Sequence, residues 1–231
     1  VGAVTGNPRI RNRSTLLGRL QVAEFSSIIG MIKRAQRVYG RIFTISGVIA
    51  GFRRTALHQV GWWSDDMVTE DIDISWRLQR GHWDIRYEPN ALCFILMPET
   101  LKGLWRQRLR WAQGGVEVML RHARSLLNWR ERRMWGVLLE YVLSVIWAYT
   151  MLFIVVLWVL GKFFPMPPQL YIASLLPQWH GVILALVCLL QFASSLIIDR
   201  RYETQIGRNY FWVIWYPMAY WLISLSTTLV A

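Results

Sequence analysis

The hydrophobic residues of this chain follow one pattern up to about residue 135 and a different one after it. In the first part, short β-rich runs alternate with stretches of helical period, which is typical of an α/β fold. The predicted strands cover residues 1–5, 42–45, 48–52, 82–88 and 91–97. A turn is predicted at Asn7 and Pro8. Helices are predicted over residues 15–39 and 70–80, with Gly40 and Gly81 at their ends.

The second part contains three long apolar runs. They cover residues 136–160, 182–198 and 210–231, and a run of about 20 apolar residues is long enough to cross a bilayer. The connection 161–181 carries one lysine, whereas the connection 199–209 carries three arginines. By the positive-inside rule, we expect the first connection to be external and the second to be cytosolic.

Between these two parts, residues 99–115 predict an amphipathic helix, and a second basic helix follows over 116–135. At 100° per residue, the apolar side chains fall in one arc, as in a helix that lies in a membrane interface. The arc contains Leu101, Trp105, Leu109, Ala112 and Val116. Lys102, Arg106 and Arg108 flank it and are expected to extend toward lipid head groups. Gln107, Arg110 and Trp111 lie on the opposite side, away from lipid.

Helix 70–80 begins with a group of carboxylates after Thr69, which is a candidate N-cap. Asp73 shares a face with Arg77, so the spacing predicts an ordinary surface ion pair. Asp71 lies on the side away from Arg77 and has no cation at helical spacing. Because a helix N-terminus favours negative charge by itself, the residues alone leave Glu70 and Asp71 open to a structural or a catalytic role.

The composition agrees with a membrane protein, since 54% of the residues are hydrophobic and 14 are tryptophan. The net charge of +12 is concentrated before the apolar runs, with 22 Lys and Arg against 11 Asp and Glu up to residue 133. Basic residues interleaved with aromatic ones also occur in proteins that bind single-stranded nucleic acid. Here their position beside predicted spans is explained by anionic lipid, so we expect a lipid bilayer and no nucleic acid as partner.

Cysteines and histidines give no sign of a metal site. Cys93 and Cys188 lie in separate apolar runs, and the four histidines are scattered without ligand spacing. We therefore expect no metal ligands among these 231 residues. Because the chain lacks an initiator methionine and a signal peptide, we also expect it to be a piece of a longer protein.

Two short motifs carry a family resemblance. TED at 69–71 followed by QRLRW at 107–111 resembles the paired motifs of processive family-2 glycosyltransferases, which include cellulose, chitin, hyaluronan and poly-N-acetylglucosamine synthases. Further stretches are most similar to the bacterial synthases of poly-β-1,6-N-acetyl-D-glucosamine. They are GNPR at 6–9, SG at 46–47 before RR at 53–54, YEP at 87–89 and WAQGG at 111–115. The resemblance extends over essentially the whole chain.

The resemblance implies an architecture of α/β type followed by membrane α-helices. Residues 1–98 would be the C-terminal part of a cytosolic glycosyltransferase domain of GT-A type. Residues 99–135 would be interfacial amphipathic helices that carry the QxxRW motif, and residues 136–231 a transmembrane region of about three helices. Such a protein is expected in the bacterial inner membrane, with its catalytic part in the cytosol.

Sugar transfer with inversion needs a base that takes a proton from the attacking hydroxyl, and positive charge that stabilises the departing diphosphate. With the resemblance, these needs assign Asp71 as the base and Arg110, together with Gln107, as the group that binds the diphosphate of the donor. Trp111 would stack on a sugar ring. The expected acceptor-binding residues are Trp111, Glu70, Ser46 and Gly47.

The resemblance also implies the substrates. The donor would be UDP-N-acetylglucosamine, and the product a growing β-1,6-linked polysaccharide of biofilms that is exported across the inner membrane. Mg²⁺ or Mn²⁺ would be held by an aspartate motif upstream of this fragment, so we expect the fragment to be inactive alone. A small membrane accessory subunit is a further expected partner. The alternatives are a chitin-, hyaluronan- or cellulose-type synthase and a non-catalytic membrane subunit that binds glycan.

Overall fold

The computed structural model describes residues 1–175, 179–202 and 216–231, and a three-stranded sheet lies at the centre of its first part. The middle strand, β1 (Ala3–Ile10), pairs antiparallel with β2 (Ala50–Phe52) and parallel with β3 (Ile85–Ile95). Helices occupy the stretches between the strands. The first part of the chain therefore has the predicted α/β arrangement.

Strands β1 and β3 are both longer than predicted. The predicted turn at Asn7 and Pro8 is wrong, because β1 continues through it to Ile10 with a shift of register after Thr5. β2 pairs only with residues 3–5, so Pro8 lies where β1 has a neighbour on one side only, and proline is tolerated there. β3 likewise is one strand instead of two, and the carbonyl of Pro89 within it accepts a hydrogen bond from the Asn7 amide at 3.0 Å.

The helix predicted over residues 15–39 is a single helical run with a π-helical centre. Its segments are α1 (Leu16–Phe25), the π-helix Ser26–Ile32 and α2 (Lys33–Tyr39). Thr15 caps it, since its Oγ1 accepts a hydrogen bond from the N–H of Gly18 at 3.1 Å. Gly40 ends it with a φ of 80°, as its position in the sequence predicts.

Two further helices, α3 (Arg54–Val60) and α4 (Glu70–Arg80), pack with the sheet. The observed bounds of α4 are the predicted ones. The strand predicted over 42–45 is wrong, because these residues form an irregular segment buried between the sheet and the helices. Side chains from the sheet, this segment and both helices make one core, which includes Ile42, Ile45, Leu57, Ile74, Leu78 and Tyr87.

The two basic helices predicted over 99–135 are one long helix and a short one. They are α5 (Leu101–Leu126) and the 3₁₀-helix Trp129–Met134, which leads directly into α6 (Trp135–Phe163). Thr100 caps α5 by accepting a hydrogen bond from the N–H of Gly103 at 3.2 Å. Two consecutive glycines, Gly114 and Gly115, weaken a free helix, but both are buried against other elements here.

The apolar second part forms helices where the sequence predicts spans. They are α6, α7 (Trp179–Asp199) and α8 (Tyr216–Val230). Within the described ranges, one helical run, Trp129–Phe163, is long and apolar enough to cross a membrane, while Ala185–Asp199 and Ala219–Val230 are shorter apolar helices. Residues 210–215 of the third predicted span lie outside the described residues.

The long apolar helices attach to the α/β part at defined points. The first turn of α6 packs through Val137 on a core shared with α4 and α5, and Glu140 accepts a hydrogen bond from the Gln36 amide at 3.0 Å. The last residue of α7, Asp199, is fully buried and lies 2.7 Å from Arg9 and 2.9 Å from Arg34. Arg9 is a buried residue of β1. α6 therefore leaves the α/β part and α7 returns to it.

Candidate active site

Asp71 lies in the first turn of α4, where its carboxylate faces the turn Ser46–Gly47. It accepts a backbone hydrogen bond from Gly47. A Cβ atom at Gly47 would lie 3.4 Å from Asp71 Oδ2, so the turn lies within van der Waals distance of the carboxylate. The structure thus brings together two of the stretches that the sequence predicts to belong to one site.

The turn that faces Asp71 is fixed by two further elements. The N–H of Ser46 donates to Thr5 Oγ1 of β1 at 2.8 Å, and its own Oγ accepts a hydrogen bond from Lys33 Nζ of α2 at 3.2 Å. A bridge between Ser46 and Ile49 closes the turn. Residues from β1, α2 and the turn therefore surround the start of α4.

The electrostatic surroundings of Asp71 suit a base. Burial, and then the neighbouring charge of Glu70, raise the pKa of the Asp71 carboxyl, while the N–H groups of Ile72 and Gly47 and the ammonium of Lys33 oppose the rise. Burial lowers the pKa of Lys33 to about 8, with Asp71 acting in the opposite direction. A carboxylate whose pKa lies above its usual range is a better proton acceptor than an exposed one.

Thr69 occupies the N-cap position of α4, but the prediction that its side chain caps the helix is wrong, because it makes no capping hydrogen bond. The side chain is buried and packs directly on Gly114 of α5, where an added Cβ would lie 2.6 Å from Thr69 Cβ. The ring of Tyr141 from α6 covers the neighbouring Gly115 in the same way, since an added Cβ there would lie 2.8 Å from the Tyr141 hydroxyl oxygen. The start of α4 and the start of α6 thus press on consecutive glycines of α5.

Trp111 lies about one turn before these glycines and is half-buried against a small apolar core. That core consists of Ile10, Val22, Phe25 and Met97. Gln107, one turn earlier, directs its amide nitrogen toward Met97 Sδ at 3.8 Å. Its buried oxygen Oε1 has no hydrogen-bond partner among the described residues, so it can accept a hydrogen bond from a ligand.

The predicted position of Arg108 at the lipid side of α5 is wrong. The side chain is buried, lies 2.7 Å from Glu24 Oε1 of α1, and stacks over the Trp111 ring at 4.3 Å from its centroid. The helical wheel missed this because α1 supplies a buried carboxylate, which no pattern within α5 can reveal. The Trp111 ring is therefore held between this guanidinium and the small apolar core, and part of it remains exposed.

Two other sides of α5 are at least partly exposed. On the side of the apolar arc, Leu101 is 74% exposed and the remaining residues are partly covered. On the opposite side, Arg110 is exposed. The buried residues follow a separate line along the helix, which includes Leu104, Arg108, Gly115, Val118, His122 and Leu126. α5 therefore has a packed side and a partly exposed apolar side, and its position in a membrane interface stays a prediction.

Asp73 is not the surface residue that its spacing from Arg77 predicts. Its side chain is fully buried and accepts hydrogen bonds from Ser64 Oγ at 2.8 Å, Arg77 Nε at 2.7 Å and His122 Nε2 at 2.9 Å. His122 Nδ1 in turn accepts from Arg80 at 2.7 Å, which assigns the proton of the neutral ring to Nε2. Burial favours the neutral acid, but the bonds from His122, Ser64 and Arg77 outweigh it and lower the pKa of Asp73 to about 2.

The site does not resemble a cation site. Within the ranges 1–175, 179–202 and 216–231, no group of three or more His, Cys, Asp or Glu could hold a metal ion. Asp71 faces an ammonium and backbone N–H groups, which repel a cation. A divalent cation therefore does not fit beside Asp71.

Sequence reasoning missed two parts of the site. Lys33 lies 13 residues before Ser46 and 38 before Asp71, so no local pattern connects them. The contact between Thr69 and Gly114 had a signal, because adjacent glycines inside a helix pattern often mark the close approach of another element. The sequence alone did not say which element approaches.

Comparison with known proteins adds to this geometry. Residues 1–225 match the model of a family described as Glycosyl transferase family group 2. Over its full length, the chain is 41% identical to a poly-beta-1,6-N-acetyl-D-glucosamine synthase of Staphylococcus epidermidis and 42% identical to one of Staphylococcus aureus strain COL. The chain spans 56% of the length of each relative.

Proposed function

Because this chain belongs to glycosyl transferase family group 2, we propose that it forms the acceptor side and the membrane-associated part of an inverting polysaccharide synthase. The donor is UDP-N-acetylglucosamine, and the product is β-1,6-linked poly-N-acetylglucosamine, as the names of the two relatives suggest for this chain. The observation that carries the proposal is the contact between the two motif regions. Thr69 of TED packs on Gly114, one turn beyond the tryptophan of QRLRW.

Asp71 is the general base in this proposal. The carboxylate is partly buried and stays close to the Ser46–Gly47 turn, which borders the acceptor sugar. When an acceptor hydroxyl attacks the anomeric carbon from the side opposite the diphosphate, its proton passes to Asp71. Burial raises the pKa of this carboxyl, which makes proton transfer to it more favourable. Inversion in one displacement requires no second carboxylate, since the diphosphate leaves without needing a proton from an acid.

The other predicted site residues bind the two substrates. Arg110 is exposed and supplies positive charge to the departing diphosphate. Gln107 was predicted to bind the diphosphate together with Arg110, but its unpartnered atom is the buried oxygen, which would accept a hydrogen bond from a hydroxyl or amide of the bound sugars. Trp111 is half-buried, and the flat C–H-rich side of a pyranose ring can stack on the exposed part of its ring. Glu70, exposed beside Asp71, accepts hydrogen bonds from the acceptor sugar.

The divalent cation belongs elsewhere in the protein. Enzymes of this family generally use Mg²⁺ or Mn²⁺, and such an ion neutralises charge on a leaving diphosphate. Since Asp71 faces Lys33 and N–H groups, the ion is held by carboxylates outside the described residues, in an upstream aspartate motif. On this proposal the 231 residues are inactive alone.

We propose that helices α6, α7 and α8 anchor the protein in the bacterial inner membrane, which is supported by the long apolar run Trp129–Phe163. α6 leaves the α/β part with its first turn, and α7 ends on it at the buried Asp199, so the connection between them is external when Asp71 is cytosolic. A polymer of sugars cannot cross hydrocarbon, because its hydroxyls would lose their hydrogen bonds to water. We propose that these helices help to form its passage, together with a small accessory subunit.

The test is transfer by the full-length protein in lipid, offered several UDP-sugars one at a time, with linkage analysis of the polymer. The expected product is β-1,6-linked poly-N-acetylglucosamine, and Asp71→Asn is expected to abolish it while donor binding remains. Asp65→Asn, an exposed carboxylate before α4, is the matched control. A polymer of another sugar or linkage would indicate a chitin-, hyaluronan- or cellulose-type synthase. Glycan binding without any transfer would indicate a non-catalytic subunit.

A further inference from the structure

Lys33 of α2 is a buried cation with few partners. Its side chain is 3% exposed, and an ammonium carries three N–H donors. Among the described residues, Ser46 Oγ is its hydrogen-bond acceptor, at 3.2 Å, and no carboxylate lies within the 4.0 Å of an ion pair. Burying a charge without a close partner is unfavourable, so a lysine that serves only to fill space is not expected here.

The charge that acts on Lys33 comes from the active site. Asp71 favours the protonated form of Lys33, and Lys33 favours the ionised form of Asp71. The turn Ser46–Gly47 lies between them, with Ser46 bonded to the ammonium and Gly47 bonded to the carboxylate. The turn therefore connects the two charged groups by adjacent residues.

The other charged groups nearby have partners of their own. Arg34, next to Lys33 on α2, pairs with Asp199 at 2.9 Å. Arg37 donates to the carbonyl of Tyr87 at 3.2 Å. From α4, Asp71 faces the turn, and the exposed Glu70 raises the pKa of Asp71. The ammonium is thus the cation that the described structure provides to the base.

We propose that Lys33 is a positioning residue for glycosyl transfer: its ammonium keeps the Asp71 carboxylate ionised and holds the Ser46–Gly47 turn against it. This inference rests on the proposed function, since it requires Asp71 to be the base. Lys33 does not touch the reacting atoms. It acts through Asp71 and through the turn that borders the acceptor sugar.

The consequence is a specific pH dependence. Burial and Glu70 raise the pKa of the Asp71 carboxyl, and the ammonium opposes them. If the charge of Lys33 is removed, the pKa of Asp71 rises further, and Asp71 is protonated at a higher pH. The pKa of Lys33 itself is lowered to about 8, so the ammonium is present throughout the range in which Asp71 takes up its proton. In a plot of rate against pH, the fall of the rate at low pH (the acid limb) therefore reports the charge on residue 33.

The experiment compares rates of UDP release by the full-length protein in lipid from about pH 5 to about pH 9, at saturating donor and acceptor. Lys33→Met is expected to move the acid limb upward by about half a pH unit, which is about a threefold loss of rate on the limb and a smaller loss above it, because the N–H groups of Ile72 and Gly47 still favour the ionised carboxyl. Lys33→Arg keeps the charge and is expected to keep the limb. Lys102→Met, an exposed lysine of α5, is the matched control.

Three outcomes separate the possibilities. A rate that falls equally at every pH in Lys33→Met, with the limb unmoved, overturns the inference and leaves Lys33 a packing residue. Movement of the limb in Lys33→Arg as large as in Lys33→Met overturns it too, because charge is then not the cause. If Lys33→Met does not fold, Lys33→Gln retains the hydrogen bond to Ser46 without the charge and carries the same expectation. Failure of the proposed function looks different, since Asp71→Asn then has wild-type activity or the unmodified protein releases no UDP.

Discussion

Replacing Asp73 by asparagine is expected to destabilise the protein strongly, although this residue has no proposed role in transfer. The change keeps the size of the side chain but removes its negative charge from a fully buried position. Ser64, Arg77 and His122 all donate to it, so the substitution leaves an amide nitrogen facing donors. Arg121, 4.0 Å from the carboxylate, also loses a partner.

Two estimates of the folding free energy lost in Asp73→Asn give similar values. The pKa of Asp73 is lowered from 3.8 to about 2, which corresponds to roughly 2–3 kcal/mol of folding free energy. Removing one member of a buried ion pair costs about 3–5 kcal/mol, and the loss is smaller where the other member reaches water. The side chain of Arg77 is 19% exposed, so we expect about 2–3 kcal/mol.

The sign of the pH dependence follows from the same shift. The pKa is lower in the folded protein than in the unfolded chain, so the stabilisation is complete above the unfolded value of about 3.8 and is lost as the pH falls through about 2. The difference in stability between wild type and Asp73→Asn is therefore expected to be constant near neutral pH. Below about pH 4 it should shrink.

The assay is unfolding of the full-length protein in detergent, followed by tryptophan fluorescence against temperature or denaturant. Asp66→Asn is the matched control, because Asp66 is an exposed carboxylate that pairs with Arg121 on the surface. We expect a clearly lowered midpoint for Asp73→Asn and a midpoint close to wild type for Asp66→Asn. Equal midpoints for the two variants at neutral pH would refute the buried network as a source of stability.

Three other predictions test the site and its surroundings. Gly114→Ala is expected to displace Thr69 and to reduce transfer at least tenfold, with helix content unchanged. Gly51→Ala is the control and is expected to be tolerated, because a Cβ there meets nothing within 4 Å. Full activity of Gly114→Ala would contradict the role of the contact between Thr69 and Gly114. Trp111→Ala is expected to stop chain growth, since stacking on an aromatic ring contributes about 1–3 kcal/mol. Extraction of the protein from the membrane is expected to stay unchanged. Release of the protein with transfer intact would indicate that Trp111 is a membrane-interface residue. Single cysteines are introduced at Gln169 or Gln205 in a background without the native cysteines, and intact cells are treated with a membrane-impermeant thiol reagent. Labelling is expected at position 169 and not at position 205. The reverse labelling would overturn the proposed orientation.

The sequence predicts best those elements whose signals are local. α4 has its predicted bounds because carboxylates begin it and a glycine ends it within a short stretch. Gly40 ends α2 as predicted, because the left-handed conformation there favours glycine on local grounds alone. The motif residues Asp71 and Trp111 were identified by resemblance, and the structure brings their regions together through Thr69 and Gly114.

The failures have one physical cause, which is that the deciding partner lies far away in the sequence. Asp73 and Arg108 look like surface residues on their own helices, yet His122 buries the first and Glu24 pairs with the second. β1 passes through Pro8 because β2 is too short to reach that position. Helical periodicity and turn preference describe one segment at a time and contain no information about such neighbours.

The adjacent glycines of α5 also set a distance. The start of α4 is seated on Gly114 and the start of α6 on Gly115, each against a position that has only a hydrogen atom for a side chain. The carboxylate of Asp71, two residues beyond Thr69, is therefore held at a fixed distance from the first turns of the long apolar helix. On the proposed function, a tilt or axial shift of α6 in a bilayer would reach the proposed base, Asp71, through one helical position of α5. Bilayer thickness would then be a physical variable that acts on the proposed transfer reaction.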